Sequence, residues 1–310
     1  MRKWIIALGQ FTITLVCFWL VIEGIDFKSA WTLMSGLSPW LLALLFALIF
    51  TQIGLIAWRL QFVVNAIGQT TTFVACFHTV MSGAFVGQTP VSTLGADAAR
   101  IWYLLRGGLS LREAAGAVFI DRVVGLVALV LMVALADIPL FMLVQDFWMR
   151  VAIVLVTLGS VCGLAALLLL QRLPQRAQRV HVVRWMSELS RLLSTVLRQW
   201  HFGPLILLLG IVGHLTSVLV LYALFAAFGA PQLLGDCLIL TPFPLLLSLL
   251  PISVGGWGVR EGTLVAAFSL VGVAPELTLT VSITFGLILL VASLPGSIIL
   301  LNVMTTRSEA

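Results

Sequence analysis

Leu250-Pro251-Ile252-Ser253-Val254-Gly255-Gly256-Trp257-Gly258-Val259-Arg260-Glu261-Gly262 breaks an otherwise apolar run with one proline, four glycines and an adjacent arginine and glutamate. Backbone of this kind cannot face lipid, because unpaired N–H and C=O groups and bare charges cost several kcal/mol in hydrocarbon. At membrane depth it must be buried in protein or line a wet cavity. Transporters build their binding sites from such segments.

The surrounding composition makes membrane depth the right frame. Of 310 residues, 61% are hydrophobic and 9% charged, against roughly a quarter charged in soluble domains. No stretch is polar enough to form a soluble domain, so the chain reads as an all-α polytopic membrane protein. The four cysteines (Cys17, Cys76, Cys162 and Cys237) show no C-x-x-C spacing, and neither a zinc site nor a disulfide framework is expected. The net charge of +5 invites a nucleic-acid reading, but its placement follows membrane topology instead.

Six segments are apolar for the ~20 residues a span needs: about 4–22, 40–64, 112–136, 149–170, 202–228 and 277–304. The first follows Met1-Arg2-Lys3 like a signal sequence, but its length and lack of a small-x-small site predict an uncleaved span. Two further regions, about 72–105 and 236–272, are interrupted by Pro, Gly and charge and are expected to be re-entrant or broken hairpins. Arg and Lys then fix the orientation. Arg100, Arg106 and Arg112 follow the second span, and the 171–201 loop carries Arg172, Arg176, Arg179, Arg184, Arg191 and Arg198. The 23–39 and 137–148 loops are acidic, with Glu23, Asp26, Asp137 and Asp146. Both termini are therefore expected on the cytoplasmic face of a bacterial inner membrane. Within the basic loop, Trp185, Leu189, Leu192, Val196 and Trp200 recur at helical spacing, predicting an amphipathic helix over about 178–200 in the headgroup plane.

The same order of elements (span, span, broken region, span) occurs twice, in residues 1–145 and 146–310. Pro90-Val91-Ser92-Thr93-Leu94-Gly95 resembles Pro251-Ile252-Ser253-Val254-Gly255-Gly256 at the matching break. Three crossings per half would turn the second half upside down. The expectation is a 3+3 inverted repeat whose two broken hairpins enter from opposite sides and meet near the midplane.

Charged groups at that depth are costly and mark cavities or pairs. Those singled out are Asp97, Arg100, Asp121, Arg122, Arg260 and Glu261, beside His78, Gln88 and His214. Asp97 and Arg100 are three apart, close enough to pair on a helix, whereas Asp121 and Arg122 do not face each other. Arg122 is within conceivable reach of Glu261 or Asp97, and Asp121 of Arg260. Purely structural ion pairing is the alternative for every one of them. Arg260 is expected to open a half-helix running through Ser269, where free N–H groups and a guanidinium suit phosphate or carboxylate. His214 reads as a packing residue, and the ten tryptophans as an interfacial belt. No cofactor or metal is implied.

Pro251-x-x-x-Gly255-Gly256-x-Gly258-Val259-Arg260-Glu261-Gly262, with Gly95-x-Asp97-x-x-Arg100 and Asp121-Arg122, resembles the lysylphosphatidylglycerol synthase transmembrane family. That family includes the flippase portion of the multiple peptide resistance factor. The resemblance covers nearly the whole chain and implies a lipid-translocating domain in which the six charged residues are functional. The sequence as written ends at Ala310 without the synthase's soluble aminoacyl-transferase domain, so lipid aminoacylation is not expected of it. The expected ligand is a phospholipid, polyprenyl phosphate or hopanoid-type amphiphile, with a homo-oligomer or an envelope-synthesis protein as further partners. The rival expectations are a metal-free intramembrane transferase and a non-catalytic subunit of an envelope complex.

Overall fold

The structure is a computed structural model that describes residues 36–89, 92–174, 181–230, 234–249 and 256–305. The predicted span at 4–22 and the motif residues Pro90, Pro251 and Gly255 lie outside the described residues. The described residues are helical, with no strand among them.

Local chemistry sets the helix ends. Ser38 caps α1 (Pro39–Ala66), which has its proline in the first turn. Thr72 caps α2 (Phe73–Gly87), and after a break comes α3 (Ser92–Arg106). A Ser110–Glu113 capping box starts α4 (Leu111–Leu143). Asp146 caps α5 (Phe147–Leu169), which tightens into a 3-10 turn at Leu170–Arg172. Then come α6 (His181–Arg198), α7 (Gly203–Ala227), α8 (Leu234–Leu240) and α9 (Pro242–Ser248). α10 (Val259–Ser269), α11 (Pro275–Ser293) and α12 (Pro295–Thr305) are the last of the described helices.

Among the described residues, five helices are long and apolar enough to cross a membrane: Pro39–Ala66, Leu111–Leu143, Phe147–Arg172, Gly203–Ala227 and Pro275–Leu301. They correspond to the predicted spans after the first. Two details differ. α4 continues through Pro139 to Leu143, so Asp137 is helical and the expected 137–148 loop shrinks to Val144–Asp146. The predicted 277–304 span is divided at Leu294, because Pro295 has no N–H to continue the ladder.

The two broken regions are helix–break–helix units. α2 packs on α3 across the first break, and α9 packs on α10 across the second. Gly256 and Gly258 take φ of +79° and +83° at the second break, a region that side chains with a Cβ rarely enter.

α7 is the most enclosed span and α5 the least. α1 and α4 both pack against α7, so the two halves of the sequence interleave rather than sit apart. Phe225 of α7 and Phe268 of α10 stack at 4.3 Å between ring centroids and bring the second hairpin onto this core.

α6 turns part of its apolar face onto the protein. Leu189, Leu193 and Val196 are buried within the protein. Ser187 and Ser190 donate to the carbonyls of Leu170 (2.6 Å) and Leu168 (3.2 Å) at the end of α5. A helix terminus leaves carbonyls without partners, and these serines supply donors to them.

Candidate functional site

Asp121 and Arg122 are consecutive on α4, so their side chains leave the helix about 100° apart. α3 answers both. Arg122 Nε donates to Asp97 Oδ1 at 2.6 Å, and Arg100 Nη1 lies 3.5 Å from Asp121 Oδ2. Asp97 and Arg100, one turn apart on α3, are thus cross-paired with the opposite charges of α4 rather than paired with each other. This settles the partner of Arg122 as Asp97 and corrects the expected Asp121–Arg260 contact.

Asp121 has a second and closer partner that the sequence reading missed. Arg59 of α1 donates from Nε to Asp121 Oδ1 at 2.7 Å. Its guanidinium is clasped by glycines: a Cβ on Gly125 would stand 3.1 Å from Nη1, and one on Gly210 3.3 Å from it. Arg100 lies over Gly83 in the same way, where a Cβ would come within 2.5 Å of its Nε. The signal was available, since Arg59 is the lone charge inside the predicted 40–64 span.

The cluster is unevenly compensated. Two buried guanidiniums share one fully buried carboxylate. Arg100 makes only the long contact, and its Nε has no hydrogen-bond partner. The Asp97–Arg122 pair is different, with about a third of each side chain exposed.

Arg260 begins α10 as expected, but its charge is met locally. Its Nη2 and Nε donate to Glu261 Oε1 at 2.6 and 3.0 Å, and Ser282 Oγ of α11 donates to the same oxygen at 3.0 Å. Glu261 Oε2 accepts from the Gly258 N–H at 2.6 Å, so the carboxylate also caps the helix. The guanidinium stacks over Trp257 (4.9 Å to the centroid) and faces Phe285 (5.5 Å). Gly286 leaves room for it, for a Cβ there would collide with Nη2. Pairing with an intramembrane acid was the structural alternative for Arg260, and that is the contact it makes.

These groups surround two adjoining cavities of about 400 and 290 Å³. Arg100, Arg122 and His214 line both. The larger also has Arg59 and Asp97 on its wall, and the smaller has Gln88 and Arg260. Gln88 ends α2, while Ser248 and Leu249 end α9, so the ends of both helices that lead into the breaks line the same chamber. His214, on the wall of both cavities, is held by a bond from Nε2–H to the Gly125 carbonyl at 3.0 Å. His78 is bonded to the Tyr103 hydroxyl at 3.0 Å and lines neither cavity. Gly95 is buried in α3.

Comparison with protein families decides the chain's affiliation. The family model of the lysylphosphatidylglycerol synthase TM region matches residues 6–296. The chain belongs to this family. Membership in the lysylphosphatidylglycerol synthase TM-region family goes with a membrane lipid-related function, and the apolar helices with a multi-pass membrane protein. A comparison with curated protein sequences found no match.

Proposed function

We propose that the chain is a lipid flippase or transporter of the bacterial inner membrane, moving an amphiphile with a phosphate-bearing headgroup between leaflets. The observation that carries the reading is the polarity of the chamber wall. Arg59, Arg100, Arg122 and Arg260 line it, with Asp97 the one acid among the lining residues. Asp121 and Glu261 sit behind their arginines, fully buried. Four guanidiniums against three carboxylates leave one positive charge in surplus, and a headgroup phosphate would balance it. Arg100, with its unpartnered Nε, is the first contact for that phosphate. Arg122 is the second, reached by displacing Asp97.

Architecture supports transport through this chamber. In the proposed topology the hairpins α2–α3 and α8–α10 are re-entrant, dip from opposite faces and belong to a 3+3 inverted repeat. The packing of α1 on α7 supports this, because each is the second span of its half. The termini are cytoplasmic, in keeping with the arginines of the 171–201 loop. Phospholipids, polyprenyl phosphates and hopanoid-type amphiphiles are the substrate classes under consideration. A carrier is favoured over a transferase because Asp97, Asp121 and Glu261 are each engaged by an arginine, which leaves none of them free as a general base.

The test is headgroup movement in vesicles carrying fluorescent phosphatidylglycerol or a fluorescent polyprenyl phosphate, read by quenching of the exposed leaflet. Wild-type protein is expected to accelerate exchange of at least one of these lipids. Arg100→Gln is expected to slow it roughly tenfold, the loss of one charge-assisted contact. Its fold should persist, because Asp121 keeps Arg59. Equal rates for the two proteins, or no acceleration with either lipid, would sink the proposal.

A further inference from the structure

A separate cavity of about 200 Å³ lies where α5 runs into its 3-10 turn and α6 crosses it. Its lining is amphipathic. Leu168 and Leu197 give apolar walls, Gln171 and Ser194 a polar floor, and Arg172 and Arg198 a cationic rim. The floor is fixed by Gln171 Nε2, which donates to Ser194 Oγ at 2.8 Å and to the Leu168 carbonyl at 3.0 Å.

Both rim arginines are exposed, and among the described residues neither has a salt-bridge partner. Arg112, also near α6, contrasts with them: it is paired with Glu188 at 3.0 Å. Trp185 on α6 and Trp200 just beyond it are exposed, as residues seated at a membrane interface are. The positive-inside tendency accounts for how many arginines this region carries. It does not account for two of them converging from different elements on a leucine-walled hollow.

We propose that this cavity is a second lipid site, distinct from the chamber, which seats the phosphate of an anionic phospholipid of the surrounding leaflet between Arg172 and Arg198. The lipid's glycerol oxygens would face Gln171 and Ser194, and its upper acyl carbons Leu168 and Leu197. Because α6 and the end of α5 each contribute one arginine, an occupied site ties α6 to the bundle and makes that junction sensitive to leaflet charge.

The experiment uses the full chain in phosphatidylcholine vesicles doped with phosphatidylglycerol that carries a photoactivatable headgroup, with labelled peptides mapped by mass spectrometry. Label is expected in the peptides containing Leu168–Arg172 and Ser194–Arg198, and to be competed by phosphatidylglycerol but not by phosphatidylcholine. In Arg172→Gln/Arg198→Gln it should fall by about tenfold or more, as the loss of two interfacial arginines implies. Arg100→Gln should leave it unchanged, which separates this site from the chamber. Because both rim residues are exposed, the double variant should keep the wild-type melting temperature in the absence of anionic lipid. Three results would each overturn the site: labelling indifferent to headgroup charge, labelling that survives the double substitution, or competition by inorganic phosphate alone.

Discussion

The two broken hairpins share a plan and differ in where their arginine finds its counter-charge. Arg260 is satisfied within its own hairpin, by the next residue, and is braced by Ser282 and two aromatic rings. Arg100 looks outward, across to Asp121 on α4, and competes there with the closer Arg59. The second hairpin can therefore form with its charge already neutral. The first holds full compensation only while docked against α4. A hairpin that depends on another element for its charge balance is the one that a ligand of opposite sign can unlock.

Three substitutions press on this contrast. The largest effect is expected from Asp121→Ala, which strands two buried guanidiniums. Removing one partner of a buried pair costs about 3–5 kcal/mol, so the purified protein should melt far below wild type or fail to remain monodisperse. A variant that melts within a few degrees of wild type would show that Arg59 and Arg100 do not depend on this carboxylate. Glu261→Ala comes next, at about 2–3 kcal/mol. It frees only one arginine, which keeps its rings and Ser282. Hydrogen exchange should also quicken at the Gly258 amide, and unchanged protection there would separate the cap from the ion pair. The smallest effect on stability belongs to Asp97→Asn. Partly exposed pairs contribute about 0–1 kcal/mol, so melting should barely move while lipid exchange in vesicles changes several-fold. A large loss of stability would instead make Asp97–Arg122 a structural pair like its neighbour.

Much of this was legible in the residues. Twenty-residue apolar runs specify spans directly, and Pro and Gly between Gly87 and Gly95 or after Ser248 announce breaks. The α10 start at Val259 followed from the glycines before it. Partnerships were harder to read. Spacing says which residues share a helix face, but the crossed pairing of α3 with α4 depends on how the two helices dock. Arg59 was overlooked because a run of apolar neighbours hides one charge. The partner of α6's apolar face was hidden for a related reason. The helix's leucine periodicity is the same whether the apolar face meets lipid or protein, and only the bonds of Ser187 and Ser190 to the end of α5 distinguish the two.

Arg59 threads between α4 and α7 at a level where both helices lack a side chain, at Gly125 and Gly210. A guanidinium seated in such a slot pins three helices from both halves of the chain at a single point. If the proposed transport cycle rocks one half against the other, the motion is expected to swing about that pin, with displacement smallest near Arg59.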